Sequence, residues 1–288
     1  MASLIILKRR IGSVRNMRQI TKAMELVSAS KLRRAQQYAA RSRDYRDIAY
    51  DMLRNLNASA EVAEQPLFAK RKVKNRLYVI VTSNMGLAGA YNSNNLKMLT
   101  EGLKRDQSES VKSHVIVIGN KGAQFVRRLK GVELVAVYPP FSDQPTVNEM
   151  RPLLTTVIDM YEKEQVDDVE VIYTIYHSAV SQQAVTLEVL PAPAPDRQEG
   201  ASSVNNFEPD IEAVIEEATT RLVEAQIWQA ILESLASEHA MRMIATKNAT
   251  DNANELIGDY TLELNTARQA AITQELAEIS GGVEALTT

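Results

Sequence analysis

The residues best suited to chemistry lie in Ser83-Asn-Met-Gly-Leu-Ala-Gly-Ala-Tyr91, directly after the apolar run Leu77–Thr82. Two glycines at a strand-to-helix turn match part of a dinucleotide fingerprint, in which backbone N–H groups approach a phosphate closely. The third glycine is missing from the required spacing, and no Lys-Ser/Thr pair follows. Gly86 and Gly89 suit a tight turn as well as they suit a ligand. Gly119-Asn-Lys-Gly122, after a second apolar run, is a weaker version of the same signal. Ser178 follows His177, but neighbours along a strand point to opposite faces, so the pair does not make a nucleophile and its base. The acidic pairs Asp167-Asp168 and Glu216-Glu217 read as solvated surface. His114, His177 and His239 have no metal-ligand spacing. Cysteine is absent, which excludes disulfides, thiolate metal sites and a Cys nucleophile. No residue is assigned a catalytic, cofactor-binding or metal-binding role, and no cofactor is expected.

Charge is distributed unevenly over the 288 residues. The first 46 hold twelve Lys/Arg against two acids, a net of +10. Residues 207–288 hold four bases against fifteen acids, a net of −11. The total of −3 therefore hides two arms of opposite sign, which can lie side by side. The basic arm has few interleaved aromatics, only Tyr38 and Tyr45, and an acidic arm would repel phosphate, so nucleic acid is not an expected partner. No apolar run approaches the roughly 18 residues that span a bilayer. Met1–Leu7 is apolar but precedes Lys8-Arg9-Arg10, the reverse of a signal peptide, so a cytosolic-side protein is expected.

These features need elements to carry them. Residues 3 to about 57 lack proline and hold one glycine. Apolar residues at 4, 7, 11, 14, 17, 20, 24 and 27 step by threes and fours, the stripe of a helix packed along another helix. Residues 61–75 read as a linker. Leu77–Thr82, Val115–Ile118, Val132–Val137 and Val169–Tyr176 read as buried strands, separated by helices near 92–106, 120–130 and 146–163. That alternation predicts a mostly parallel sheet, and Val185–Leu190 adds an antiparallel edge after a short turn. Pro191-Ala-Pro-Ala-Pro195 opens a second linker. From 208 to 287 the only proline is Pro209, and apolar positions at 253, 256, 260, 264, 267 and 271 repeat the helical spacing. The order is long helix, α/β domain, longer helix, with the two arms paired antiparallel.

Two stretches in the arms carry a more specific signal. Ile20-Thr-Lys-Ala-Met-Glu-Leu-Val-Ser-Ala-Ser-Lys31 resembles the N-terminal helix of the γ subunits of F-type ATP synthases. Ala267-Arg-Gln-Ala-Ala-Ile-Thr-Gln-Glu-Leu-Ala-Glu-Ile-Ser-Gly-Gly282 is similar to that family's C-terminal signature, as are Ser237–Met243 and Lys247–Ala253. Gly86-Leu-Ala-Gly-Ala-Tyr-Asn92 resembles the first turn of its α/β domain. The resemblance covers essentially the whole chain in order. Ile5-Ile6, Asn84-Met85 and Val283 depart from the family pattern, and no cysteine-bearing insertion of the chloroplast type is present.

The resemblance implies an α/β fold class: long N- and C-terminal helices (1–60 and 207–288) in an antiparallel coiled coil, with a Rossmann-like α/β domain (76–190) between them. It implies a non-catalytic central rotor subunit, one copy per complex, coupling proton-driven c-ring rotation to conformational cycling of the catalytic β subunits. The implied partners are the α and β subunits, the ε subunit and the c-ring, at the cytoplasmic face of a bacterial cell membrane, peripheral through the c-ring. Arg10, Lys22, Met24, Arg242, Arg268, Gln269 and Thr273 match positions that face the α and β subunits. Phe207, Glu208 and Asp210 match positions that face the c-ring and ε. The alternatives on the residues alone are a nucleotide-binding α/β enzyme with helical arms and a coiled-coil scaffold without a rotary role.

Overall fold

The computed structural model describes residues 2–56, 66–142, 145–192 and 211–287. The elements are α1 (Ala2–Leu56), β1 (Asn75–Val81), α2 (Tyr91–Glu109), β2 (Lys112–Ile118), α3 (Asn120–Val126), β3 (Glu133–Tyr138), α4 (Val147–Glu162), β4 (Asp168–Tyr176), β5 (Gln182–Leu190) and α5 (Ile211–Thr287). They form two compact units, one of Ser28–Arg242 and one of Met1–Val27 with Met243–Thr288.

In the Ser28–Arg242 unit the sheet order is β3-β2-β1-β4-β5, parallel except for β5. This is the expected α/β class. β1 lies at the centre, so both its faces are covered and it reads as a continuous apolar run. The two-residue period divides its side chains. Leu77, Val79 and Val81 pack with Met150, Leu153 and Val157 of α4 and with Leu222 and Ile227 of α5. Tyr78 and Ile80 face the other way, onto Leu99 of α2 and Ala123 and Val126 of α3. Helices therefore cover both faces of the sheet. α3 stops at Val126, short of the expected 130: Arg128 and Leu129 donate to carbonyls three residues back and tighten the chain into a turn before Gly131.

Asp167 and Asp168 are not solvated, contrary to the sequence reading. Both are under one-tenth exposed. Asp167 Oδ2 accepts the N–H groups of Lys74 (2.8 Å) and Asn75 (2.9 Å), pinning the entry to β1. Asp168 Oδ2 accepts from Arg76 Nε at 3.1 Å. Burial of Asp168 depends on a cation 92 residues away in sequence, which composition does not reveal. Glu216 and Glu217 are exposed, and Glu217 pairs with Arg221 one turn on.

The other unit is a helix pair. Arg10 stacks over the Tyr260 ring at 5.8 Å, Arg18 Nη1 donates to Asn254 Oδ1 at 3.4 Å, and Thr21 meets Thr250 at 2.8 Å. Advance along α1 is matched by equal retreat along α5, so the pair is antiparallel. Its seam departs from the stripe read in sequence. The inward positions of α1 are Leu4, Leu7, Ile11, Val14, Arg18 and Thr21, a three-four alternation, after which Met24 and Glu25 are both half-buried. The apolar stripe instead runs on to Met17, Ile20 and Val27, and these three are more than half exposed. Its mean step of about 3.3 residues drifts off a seam that repeats every 3.5. On α5 the inward positions are Thr246, Thr250, Ala253, Ile257, Tyr260, Leu264, Ala267 and Ala271, so Ile257 replaces the expected Leu256.

Candidate functional site: outward helix faces and a closed strand-end crevice

An α/β sheet binds ligands beyond the carboxyl ends of its strands, where the strand order reverses. Here that point lies between β1 and β4. It is filled by the protein's own side chains. Asn95 Nδ2 donates to the Val81 carbonyl (2.9 Å), and Thr174 Oγ1 donates to Asn95 Oδ1 (2.7 Å). From α5, Ser237 Oγ donates to the Thr174 carbonyl (3.0 Å). Ser234 Oγ accepts the Thr174 N–H and lies 2.7 Å from Tyr91 Oη. Ser234 and Ser237 are fully buried. Helix α5 therefore occupies the ground a dinucleotide would need.

The glycine turns have local causes. A Cβ on Gly119 would lie 2.2 Å from the Thr82 carbonyl oxygen, and φ there is +93°. One on Gly122 would strike Val117 and Thr82. Close helix–strand packing requires these glycines. In the 83–89 turn Leu87 as well as Gly89 takes positive φ. The turn is held by Ser83 N–H donating to Asn92 Oδ1 (2.9 Å) and Ser83 Oγ donating to the Met85 carbonyl (2.6 Å). Ser178 also shapes a turn: β4 ends at Tyr176, and Ser178 Oγ accepts the N–H groups of Val180 and Ser181. His177 and Ser178 thus sit in the hairpin loop and not on the strand. No cluster of three metal-ligating side chains occurs among the described residues.

The residues carried over from the resemblance fall into three groups. Arg10, Lys22, Arg268, Gln269 and Thr273 are exposed on the helix-pair unit, with Met24 half-buried. Lys22 Nζ lies 3.0 Å from Glu25 Oε2, and Thr273 Oγ1 donates to the Gln269 carbonyl one turn back. Arg242 belongs to the other unit and is only 4% exposed. Its guanidinium meets Glu238 Oε1 at 2.7 Å and the Gly86 carbonyl at 3.4 Å, tying α5 to the 83–89 turn. Burial pushes the Glu238 carboxyl up, against the pull of Arg242. Phe207, Glu208 and Asp210 lie outside the described residues.

The sequence reading missed the outward apolar residues. Met17, Ile20, Leu26 and Val27 on α1 are exposed, and so are Leu262, Ile272, Leu276, Ile279 and Val283 on α5. Residues 272, 276, 279 and 283 repeat the four-three spacing of a helix seam. The drift of the α1 stripe from 3.5 was the available signal. Such stripes mark surfaces that another protein covers.

A family model described as ATP synthase matches residues 3–286. The ATP synthase gamma chain of Staphylococcus aureus (strain JH9) is 38% identical, covering 99% of this chain and all of that one. That of Staphylococcus haemolyticus has the same identity and coverage. Among solved structures, the fold matches a chain of the Euglena gracilis mitochondrial ATP synthase OSCP/F1/c-ring structure. The TM-score is 0.70 at 22% identity, over 99% of this chain and 95% of that one. A chain of the Tetrahymena thermophila mitochondrial ATP synthase central stalk/c-ring structure matches at TM-score 0.61 and 22% identity, over 80% and 99%.

Proposed function

The chain belongs to the ATP synthase gamma-chain family, and from that premise we propose that it is the central-stalk rotor subunit of an F-type ATP synthase. It couples proton-driven rotation of a c-ring to conformational cycling of catalytic β subunits, and in reverse couples ATP hydrolysis to proton pumping. The chemistry is performed by its partners: three α and three β subunits around one copy of this chain, with the ε subunit and the c-ring at the membrane side. Residues 1–60 and 207–288 act as the coiled-coil arms, and 76–190 as the domain that meets ε and the c-ring. The complex would lie at the cytoplasmic face of a bacterial cell membrane, this chain peripheral to it.

The observation that carries the reading is a local inversion of the helix pair. Around Thr21 and Thr250 polar groups face inward, while Met17, Ile20 and Val27 face outward. A helix pair selected only to hold itself together would place its apolar side chains in the seam. Outward apolar residues beside Arg15 and Lys22 suit a rotor that exchanges partner contacts as it turns. Differential contact of this kind biases three otherwise equal catalytic subunits into different states. Lys22, Met24, Arg268, Gln269 and Thr273 would then touch α and β, with Arg10 beside them. Arg242 would act from within, holding α5 to the 83–89 turn. Phe207, Glu208 and Asp210 would meet the c-ring and ε.

The test is purification of a tagged full chain from its host, with native mass and ATPase activity of what accompanies it. The expected result is a complex of three α, three β and one copy of this chain, with rotation-coupled activity lost when the chain is deleted. A lone monomer, or a complex whose proton pumping survives deletion, would overturn the reading.

A further inference from the structure

A cluster of charges lies where β1, β2 and β4 begin and α2 ends. Its centre is Arg76, whose side chain is 9% exposed. Arg76 Nε meets Asp168 Oδ2 at 3.1 Å and Glu170 Oε1 at 3.4 Å, and Nη1 binds Asp106 Oδ1. Arg105, at the rim of the cluster, donates to Glu170 Oε1 (2.5 Å) and Tyr78 Oη (3.1 Å). Ser113 Oγ donates to Asp106 Oδ2 at 2.8 Å. Asp167, Glu188 of β5 and Tyr161 of α4 also face the cluster, with Arg71 stacked on the Tyr161 ring at 4.9 Å.

Charge counting leaves a surplus. Three buried carboxylates (Asp106, Asp168, Glu170) share two guanidinium groups, and Arg105 is nearly half exposed. Asp167 is a further acid at the edge of the cluster, its Oδ2 held by two neutral backbone N–H groups, and it brings no cation to the count. Arg71 is spent on Tyr161, donating to its carbonyl oxygen at 3.0 Å. A surplus buried charge is expensive and is relieved by taking up a proton. Hydrogen bonding selects where the proton goes. Both oxygens of Asp106 have donors, and Glu170 Oε1 has two cationic neighbours. Asp168 Oδ1 is buried without a hydrogen-bond partner.

We propose that this cluster is a proton-binding site seated on Asp168 Oδ1, and that losing the proton to water weakens the tie between β1, β4 and the end of α2, making the α/β unit a pH-responsive element. The carboxylic acid releases one proton to bulk water and leaves a third full negative charge against Arg76. Burial, opposed by Arg76 and assisted by Glu170 and Glu188, holds the Asp168 carboxyl up at about 6. A carboxyl raised on folding binds its proton more tightly in the folded state. Its contribution to stability is therefore fully present below the unfolded value near ~3.9 and is lost as pH rises through about 6.

The test is urea unfolding of the full-length chain from pH 4 to pH 8, wild type against Asp168→Asn. Asparagine keeps an oxygen for Arg76 and cannot ionise. The unfolding constant of wild type relative to the variant should rise about fiftyfold between pH 4 and pH 7, as those two pKa values require. Glu170→Gln removes the surplus charge, and should move the transition to lower pH and shrink the rise. Parallel pH profiles for wild type and Asp168→Asn would overturn the proposal. If the variants do not fold, infrared spectra of the wild-type chain decide. With carboxyl-13C aspartate in the chain, an aspartic-acid carbonyl band present at about pH 5.5 and lost by about pH 7.5 supports the site, and its absence at about pH 5.5, where ordinary aspartates are ionised, overturns it.

Discussion

The two units solve the same burial problem in opposite ways. In the Ser28–Arg242 unit the central strand β1 is sealed between helices, and Leu77, Tyr78, Val79 and Ile80 have no exposed surface. In the helix-pair unit the seam turns polar around Thr21 and Thr250, between apolar layers such as Leu7, Ile11 and Ala253, and Met17, Ile20 and Leu262 face water. The first arrangement gives a rigid body with one packing. The second gives a weaker seam and an outer surface with much apolar area still to bury. A rotor needs both: a body to grip and a surface whose contacts change. The prediction is a gradient. Changes in the sealed unit should act on stability, and changes on the outward helix faces should act on assembly.

The largest effect should come from Arg76→Ala. It leaves Asp106, Asp168 and Glu170 buried without their shared cation. Breaking a buried ion pair from one side costs about 3–5 kcal/mol. Chemical unfolding of the full chain at neutral pH measures it. A loss under about 1 kcal/mol would mean that water reaches the cluster freely. Next is Leu153→Ala in α4, which is fully buried against the sheet. A cavity there should cost about 3 kcal/mol by the same assay. A much smaller loss would mean that α4 repacks, and the contrast between the units would lose its basis.

Much of this contrast was legible in sequence, and the illegible parts share one cause. The strands could be read because a central parallel strand must be apolar on both faces, which leaves an unbroken run such as Leu77–Val81. The antiparallel edge could be read because a short turn cannot join parallel strands. The seam past Val14 could not be placed by apolarity alone. Met17, Ile20, Met24 and Val27 form a stripe with helical spacing, and apolarity does not say which stripe faces the sister helix and which faces a partner. The inward stripe is legible only from its strict 3.5-residue period, and its members Arg18 and Thr21 are polar. Asp168 failed for a related reason, since its burial depends on Arg76 across the sheet. At the candidate site the specific residues came from resemblance to a family. Residue types and spacing alone favoured plain turns at Gly86, Gly89, Gly119 and Gly122 over a phosphate cradle. At Gly119 and Gly122 close approach to Thr82 and Val117 is itself a reason for glycine.

The seam itself can be converted. Thr21→Val with Thr250→Val replaces the hydrogen-bonded threonine pair by an apolar layer of similar shape. Replacing both partners of a buried hydrogen bond is neutral or stabilising, here by about 1 kcal/mol. Hydrogen exchange of the amides around Thr250 should slow accordingly. Faster exchange would mean that the threonine pair is a strong point of the seam and not a concession to some other demand.

The smallest effect on stability should come from the residue with the largest effect on assembly. Ile20 is 56% exposed, so Ile20→Ser should change unfolding by no more than ~0.5 kcal/mol. Its cost should appear only when partners are present, because an isoleucine on a covered face contributes apolar burial that serine cannot supply. Yield of the α/β complex or proton pumping per ATP should therefore fall while the unfolding midpoint of the isolated chain stays put. Two results would break the comparison in different places. A shifted midpoint would mean that Ile20 is already packed in the free chain, so the outward stripe is part of the seam. An unshifted midpoint with unchanged assembly and coupling would mean that the stripe is ordinary surface. The inverted seam would then need a reason other than partner contact.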